Sequence, residues 1–146
     1  PARTTKERYF KPSRTENIMK FARAALTLCL STAFSLAMAG QIVPYNQQTF
    51  DHLTAEGKPV VLDISATWCP TCKAQKPIVE NIMKQPAFSD VTLMRIDFDS
   101  QKPLLRKYHV TMQSTLVAFK GETEVGRSVG DTSRAGLRSL FEKAVR

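Results

Sequence analysis

Residues 60–77 read Val-Val-Leu-Asp-Ile-Ser-Ala-Thr-Trp-Cys-Pro-Thr-Cys-Lys-Ala-Gln-Lys-Pro, and this stretch decides the fold class. Its beginning is a nearly continuous run of apolar and β-branched side chains, which is typical of a central strand buried on both faces. From Pro70 to about Lys84, apolar residues recur at helical spacing, so we expect a helix that Pro77 kinks by removing one backbone donor. The two cysteines therefore stand where a buried strand passes into a helix.

The pattern on either side of this stretch alternates helices with strands. In chain order we expect a short helix ending near Gly57, a strand over 60–64, a helix over 70–84, a strand over 91–98, a short helix over 103–108, hairpin strands over 115–119 and 124–129, and a last helix after Asp131-Thr132-Ser133. The apolar positions that the last helix should bury are Leu137, Leu140, Phe141 and Val145. Strands joined through helices pair in parallel and hairpin strands pair antiparallel. The sequence therefore predicts an α/β fold with a mixed central sheet flanked by helices.

The composition of the 146-residue chain fits a globular domain with a substantial core, because 42% of its residues are hydrophobic and 23% are charged. It argues against a disordered chain or a small scaffold held by disulfides. The net charge of +8 at first suggests a nucleic-acid partner. However, residues 1–39 hold seven basic and two acidic side chains, a net charge of +5, and residues 40–146 carry only +3. We therefore expect no nucleic-acid partner.

Residues 19–39 have the three-part pattern of a secretory signal peptide: Met-Lys-Phe-Ala-Arg, an apolar stretch over 24–36, and an Ala-Met-Ala ending. The apolar stretch is shorter than the about 20 residues that span a bilayer. We therefore expect cleavage after Ala39 and release into the periplasm, with membrane contact only during export. An uncleaved membrane anchor is the alternative.

The cysteine count is odd only because Cys29 lies in that apolar stretch. Leu28 precedes it where a lipoprotein site would need a small residue, so we expect Cys29 to leave with the leader. Residues 1–18 are polar, basic and aperiodic, and we interpret them as an upstream extension outside the fold. Residues 40–146 then form one domain with a single pair of cysteines.

The pair Cys69 and Cys72 is the candidate for chemistry in this domain. Cys69 should stand at the N-terminus of a helix, where unpaired backbone N–H groups and the helix dipole favour a thiolate. Two intervening residues bring the second thiol within one helical turn, so a disulfide can close. We therefore expect an exposed Cys69 to attack a substrate disulfide and a deeper Cys72 to resolve the mixed disulfide.

Other uses of two cysteines are possible in principle. Half of a zinc site is disfavoured because residues 40–146 contain no third cysteine and because His52 and His109 are not spaced as a ligand pair, so we expect no metal site. A purely structural disulfide on a binding scaffold is disfavoured because so short a loop constrains little of the unfolded chain. A module that delivers Cu(I) on the two thiolates is the main alternative function.

The strand Val60–Ala66 running into Trp-Cys-x-x-Cys-Lys, with Pro77 five residues after the second cysteine, resembles the thioredoxin family. The resemblance covers about residues 45–146 and implies the thioredoxin fold and an enzyme that exchanges dithiols and disulfides without a bound cofactor. With a signal peptide in front, the chain is similar to bacterial periplasmic thioredoxin-like proteins. That similarity implies as partners the thiols and disulfides of exported proteins and a membrane thiol transporter that supplies electrons.

The resemblance also implies roles for two charged residues. Asp63 matches the family's buried acid, which helps to deprotonate the resolving thiol, and an acid inside an apolar strand should have a raised pKa unless it is paired. Arg95 falls where many thioredoxins have a lysine near that acid. Arg95 either pairs with Asp63 and holds it ionised, or points to solvent.

The expected substrate-binding residues are Trp68, Pro70, Thr71, Gln113 and Ser114. Trp68 matches the family's active-site aromatic residue and should offer a flat contact surface. Pro70 suits the first helical position, and the resemblance implies that the Pro-Thr pair helps to set the redox potential. Ser114 is a departure, because the family has a cis-proline there and uses the backbone before it to hold substrate like a strand. We expect a cis bond between Gln113 and Ser114, although such a bond costs about 2.5–4 kcal/mol before a residue other than proline.

Overall fold

The computed structural model describes residues 39–146. The expected extension over 1–18, residues 19–38 of the expected signal peptide, and Cys29 with them lie outside the described residues. The strands are β1 (Gln41–Pro44), β2 (Pro59–Ser65), β3 (Thr92–Asp97), β4 (Thr115–Lys120) and β5 (Thr123–Val129). The helices are α1 (Gln47–Ala55), α2 (Pro70–Met83), α3 (Lys102–Lys107) and α4 (Arg134–Val145), with a short 3-10 turn at Pro86–Phe88. Every helix in this range falls short of the length and apolar character that a bilayer-spanning helix needs.

These strands form one mixed sheet in the order β1-β3-β2-β4-β5. Strand β3 pairs in parallel with both β1 and β2, whereas β4 pairs antiparallel with β2, and β5 pairs antiparallel with β4. The register sets Asp63 of β2 beside Arg95 of β3. A register shift at Ala118 and Phe119 interrupts the outer pairing of β4 with β5. The predicted mixed sheet with a C-terminal antiparallel hairpin is confirmed.

Helices cover both faces of the sheet. Helices α2 and α4 pack over the face that carries Val61 and Leu116, and α1 and α3 pack over the face that carries Leu62 and Val117. Because side chains alternate along a strand, Asp63 shares the first face with Val61. The acid is therefore on the side of the sheet that the cysteine-bearing helix covers.

The sequence does not predict β1. This edge strand is four residues long and mostly exposed, so it carries no alternating hydrophobic pattern. Its position is fixed by backbone contacts: Gly40 N–H donates to the Met83 carbonyl at 2.9 Å and Gln41 N–H to the Val91 carbonyl at 3.0 Å. A Cβ at Gly40 would lie 2.6 Å from the Phe88 carbonyl oxygen, so only glycine permits this close approach.

Helix α4 begins after Ser133, as predicted, and supplies much of the core on its side of the sheet. It buries the predicted Leu137, Leu140 and Phe141. The prediction for Val145 is wrong, because that side chain is 39% exposed while Ala144 is only 2% exposed. The apolar stripe passes from Leu137 through Phe141 to Ala144 at helical spacing, which leaves Val145 to one side of it.

Candidate active site

The cysteine pair stands at the junction between β2 and α2. Strand β2 ends at Ser65, and α2 begins at Pro70, as predicted, with Cys69 as its N-cap residue. The sulfur of Cys69 accepts a hydrogen bond from the backbone N–H of Cys72 at 3.1 Å, so it lies among the unpaired N–H groups of the first helical turn. Cys69 and Cys72 form a disulfide, with their Cα atoms 5.3 Å apart. The predicted pair that can close at a helix N-terminus is confirmed.

The expectation of an exposed Cys69 is wrong for this oxidised state. Cys69 is 1% exposed and Cys72 is 7% exposed, and both pack with Ala66 and the half-buried Phe98. The Cys69 sulfur is bonded to Cys72 and accepts the backbone N–H of that residue in the first turn of α2. The exposed surface around the disulfide therefore comes from neighbouring side chains, above all Trp68.

Trp68 is 54% exposed on the loop between β2 and α2. Its indole N–H donates to the Asp99 carboxylate at 2.8 Å. Asp99 is held in turn by its backbone N–H, which donates to the Asp97 side chain at 3.0 Å. Hydrogen bonds from the Ser100 hydroxyl and backbone N–H, and then from Asp99, keep the pKa of Asp97 below its ordinary value. This loop fixes the orientation of the Trp68 ring and leaves the ring exposed.

The sequence interpretation missed both aspartates of this loop. Asp97 and Asp99 stand in an Asp-x-Asp-Ser run at the end of the strand predicted over 91–98. Such a run is typical of a turn in which the aspartate side chain accepts hydrogen bonds from backbone N–H groups two and three residues ahead. The signal for a rigid turn was therefore present, but nothing in it pointed to Trp68.

Asp63 is a buried acid, 8% exposed, on β2. Burial raises its pKa above the ordinary value, and the Arg95 guanidinium opposes that rise. Arg95 Nε lies 3.6 Å from the Asp63 carboxylate, so of the two alternatives for Arg95 the ion pair is the one observed. Burial has the larger effect of the two, so the pair with Arg95 does not return the pKa of Asp63 to its ordinary value. Arg95 also contacts the Glu80 carboxylate at 3.0 Å, and the negative charge of Glu80 itself raises the pKa of Asp63.

A cavity of about 650 Å³ lies beside both Asp63 and Cys72. It lies between α2 and the neighbouring ends of β1, β2 and β3, and its lining includes Asp63, Cys72, Lys76 and Arg95. The lining is mostly apolar but includes these charged side chains, and the space is large enough to hold water. The Asp63 carboxyl and Cys72 therefore face one shared space.

The other predicted substrate contacts surround the same junction. Pro70 occupies the first position of α2 and is exposed, and Thr71 is half-buried. Gln113 is half-buried and directly precedes Ser114. Strand β4 starts at the next residue and pairs there with the end of β2 that leads to the cysteines. The fold brings these residues to one end of the sheet, and their contact with substrate stays a prediction.

The predicted cis bond between Gln113 and Ser114 is wrong, because every peptide bond in residues 39–146 is trans. Ser114 instead has a φ of 59°, in the left-handed region. For a residue other than glycine this conformation costs about 1–2 kcal/mol. A cis bond before such a residue costs about 2.5–4 kcal/mol. The loop therefore changes direction through φ, and Gly130 N–H holds it there by donating to the Ser114 carbonyl at 2.9 Å.

Gln75 is a site residue that the sequence interpretation missed. It is 2% exposed and lies on the face of α2 that also carries Cys72 and Val79. Its Nε2 donates to the Asp131 carbonyl at 2.8 Å, and its Oε1 accepts from the Ser114 hydroxyl at 3.3 Å. A glutamine on the otherwise apolar stripe of a helix is the signal that could have found it.

No cluster of three or more His, Cys, Asp or Glu side chains that could hold a metal ion occurs in residues 39–146. His52 and His109 are both exposed. In the part of the chain that the structure describes, a Cu(I) ion at this site would therefore depend on the two cysteine sulfurs.

Comparison with known proteins identifies the family. The family model for thioredoxin matches residues 41–143. A thioredoxin from Mycobacterium tuberculosis is 36% identical over 83 residues, which make up 57% of this chain and 71% of that protein. A thioredoxin from Chlamydia trachomatis is 34% identical over 98 residues, which make up 67% of this chain and 93% of that protein.

Solved structures agree with this assignment. The crystal structure of Trxlp from Edwardsiella tarda has a TM-score of 0.66 at 36% identity and covers 73% of this chain and 100% of that chain. The thioredoxin of Malassezia sympodialis has a TM-score of 0.65 at 27% identity, with 74% and 93% covered. The mixed five-stranded sheet flanked by four helices is thus the thioredoxin fold. The chain belongs to the thioredoxin family and is a thiol–disulfide oxidoreductase that exchanges dithiol and disulfide through Cys69 and Cys72.

Proposed function

We propose that this oxidoreductase acts in the periplasm, where it exchanges dithiols and disulfides with exported proteins. The observation that carries the proposal is the signal-peptide pattern over residues 19–39, whose Ala-Met-Ala ending directly precedes Gly40, a residue that is bonded into the described domain. Ala39 is exposed, and the Gly40 N–H donates to the Met83 carbonyl, the first backbone bond along the described residues. Cleavage after Ala39 would keep that bond and every later contact, because the new terminal amine of Gly40 can still donate.

Cys69 is the nucleophile in the proposed reaction. Its thiolate is stabilised by N–H groups at the start of α2 and attacks one sulfur of a substrate disulfide. A bond forms between Cys69 and that sulfur, the substrate's S–S bond breaks, and one substrate thiolate leaves. The Cys72 thiolate then attacks the Cys69 sulfur, which closes the disulfide and releases the second substrate thiolate. The substrate has gained two electrons, and the reverse sequence oxidises a substrate dithiol.

Asp63 is the proposed proton acceptor for Cys72. Its buried carboxyl has a raised pKa, which brings it closer to the pH at which a carboxyl can both take and return a proton. The cavity that it shares with Cys72 supplies the path. Arg95 limits the rise in the pKa of Asp63 because its positive charge favours the carboxylate.

The proposed substrate platform surrounds the disulfide. Trp68 offers an exposed ring whose orientation Asp99 fixes. Gln113 and Ser114 stand at the start of β4, where the backbone before Ser114 can pair with an extended substrate segment. Pro70 and Thr71 complete the rim at the first turn of α2. This arrangement suits an unfolded or loosely folded protein segment better than a compact domain.

If the protein reduces its substrates, each cycle needs two electrons, and the compartment itself keeps thiols oxidised to disulfides. We propose that a membrane thiol transporter supplies these electrons by exchange with the Cys69–Cys72 disulfide.

Trapping of mixed disulfides tests this function. The full chain with Cys72→Ser, carrying a C-terminal tag, is expressed in a Gram-negative host and recovered from the periplasmic fraction. Without the resolving thiol, Cys69 should stay bonded to its substrates, giving adducts on a non-reducing gel that dithiothreitol releases. The recovered protein should begin at Gly40. The matched variant Cys69→Ser should give no such adducts, since it lacks the attacking thiol.

Two outcomes would count against the proposal. Recovery of the protein from the cytoplasm with residues 19–39 still attached would contradict export. An absence of adducts, together with wild-type protein that purifies with one equivalent of copper, would favour the copper-delivery alternative.

A further inference from the structure

Gln75 holds a fixed orientation inside the protein. Its side-chain amide is 2% exposed and has one partner at each end. The Asp131 carbonyl can only accept, so the amide nitrogen must face it. The amide oxygen then faces Ser114, and the Ser114 hydroxyl is the donor of that bond. A flipped amide would set two acceptors against each other at Asp131.

Gln75 and Ser114 belong to a closed ring of contacts. The Ser114 hydroxyl donates to Gln75, and Gln75 donates to the Asp131 carbonyl. Gly130, which is bonded covalently to Asp131, donates its N–H to the Ser114 carbonyl at 2.9 Å. The ring therefore ties three segments together: helix α2, the loop before β4, and the loop that follows β5.

The ring of contacts restrains the backbone angle φ of Ser114, which the serine residue itself does not fix. A proline ring fixes φ, whereas a serine is free to leave the left-handed conformation that Ser114 adopts. A second bond steadies the same loop, because the Thr115 hydroxyl donates to the Met112 carbonyl at 2.7 Å. Of these contacts, the one from Gln75 comes from α2, the helix that starts beside Cys69. At 1.5 Å per residue, Gln75 lies about 9 Å from Cys69 along the helix axis.

We infer that Gln75 is a positioning residue for substrate recognition, which fixes the Gln113–Ser114 segment relative to Cys69. The inference rests on the proposed function in one respect, that the backbone of Gln113 holds an extended substrate segment. Gln75 has no hydrogen bond to Cys69, Cys72 or Asp63 among the described residues. Its loss should therefore weaken the reaction with protein disulfides and spare the reaction with small disulfides, which do not need the platform.

The test uses Gln75→Met, which keeps the length and helix propensity of the side chain and removes both hydrogen bonds. Gln48→Met, on the exposed surface of α1, is the matched control. The chain has a single tryptophan, Trp68, next to the disulfide, so its fluorescence follows oxidation of the reduced protein in stopped flow. Second-order rate constants are measured with oxidised insulin and with hydroxyethyl disulfide. Alkylation of reduced Cys69 by iodoacetamide is measured in parallel.

The rate constant with insulin should fall about tenfold in Gln75→Met, while the rates with hydroxyethyl disulfide and iodoacetamide stay within about twofold of wild type. Ser114→Ala, which removes only the hydroxyl, should shift the insulin rate in the same direction. Because both substitutions remove the same bond, their effects should not add in the double variant. Gln48→Met should match wild type.

An unchanged insulin rate in Gln75→Met, an equal loss with both disulfides, or additive effects in the double variant would overturn the inference. If Gln75→Met fails to fold, Ser114→Ala decides, since an unchanged insulin rate there would have the same meaning. The wild-type protein tests the proposed function separately. If it reduces insulin no faster than hydroxyethyl disulfide, the protein-substrate platform is wrong, whatever the variants do.

Discussion

Replacing Asp63 with asparagine should stabilise the oxidised protein at neutral pH, and the gain should depend on pH. Burial raises the pKa of Asp63 in the folded protein above its ordinary value of 3.8. An acid whose pKa is higher in the folded state than in the unfolded state binds its proton more tightly when folded. It therefore stabilises the fold at low pH, and this contribution is lost as the pH rises through the folded-state pKa. Asparagine has nearly the same size and carries no charge at any pH.

The magnitude follows from linkage. Below 3.8 the carboxyl is protonated in both states, so wild type and Asp63→Asn should have similar free energies of unfolding. Between 3.8 and the folded-state pKa, the wild-type free energy of unfolding should fall relative to the variant by about 1.4 kcal/mol per pH unit. Above the folded-state pKa the difference should become constant. The folded-state pKa already includes the stabilisation of the carboxylate by Arg95, whose Nε is 3.6 Å away. The constant difference in unfolding free energy above that pKa therefore measures the net cost of the buried charge.

Urea unfolding, followed by Trp68 fluorescence, measures this difference across buffers from below 3.8 to above neutrality. Asp97→Asn is the contrasting control, because hydrogen bonds from Ser100 lower the pKa of Asp97. A lowered pKa has the opposite sign: the stabilisation by Asp97 is present above 3.8 and is lost as the pH falls through its folded-state pKa. A difference between wild type and Asp63→Asn that does not change with pH, or that grows as the pH falls, would refute the reasoning.

Three further changes should have measurable effects. Arg95→Met removes the positive charge that opposes burial, so the pKa of Asp63 should rise further and the sloping part of the same pH titration should extend to higher pH. Gly40→Ala places a Cβ 2.6 Å from a backbone carbonyl oxygen and should cost about 1–3 kcal/mol in urea unfolding. Gly57→Ala is its control, since it meets no neighbouring atom and should cost only the about 1–2 kcal/mol of its positive φ. Ser133→Ala removes the N-cap bond of α4 and should cost about 1 kcal/mol in the same assay without changing the rate of insulin reduction.

The central strand and the cysteine helix could be predicted because their signals are strong and local. The run at Val60–Ile64 is apolar at nearly every position, and α2 combines helical spacing with Pro70 at its first position. Strand β1 could not be predicted, because its four residues are mostly exposed and its place depends on backbone contacts of Gly40 and Gln41 with distant segments.

In the site, as in the fold, the residues that belong to a local motif could be predicted. The cysteine pair, Trp68 and Asp63 follow from a motif whose residues lie close together in the chain. The conformation of Ser114 depends on Gln75 and Gly130, which are close to it only in the folded protein. The family's cis-proline at this position therefore predicted a cis bond before Ser114, and that prediction was wrong.

The pKa of Asp63 escaped prediction for a related reason. The direction of its pKa shift is set by a balance between burial and three neighbouring charges, those of Arg95, Glu80 and Lys76. Pairing with Arg95 could be foreseen as an alternative from the family resemblance, but nothing in the sequence pattern indicated that Glu80 on α2 would share Arg95. Local patterns name the participants at such a site, and the packed structure decides which influence is larger.

The outer strands of the sheet have a consequence for solubility. Strand β1 is only four residues long and ends at Pro44, which has no N–H to donate. Strand β5 meets its partner with a register shift at Ala118 and carries the Glu124–Arg127 ion pair at 2.8 Å. A short strand, a proline, an irregular pairing and charged side chains each discourage a second chain from adding to a sheet edge. The protein is proposed to pair with extended substrate chains at Gln113. At the edge strands β1 and β5 the same kind of pairing would lead to aggregation, and these features oppose it there.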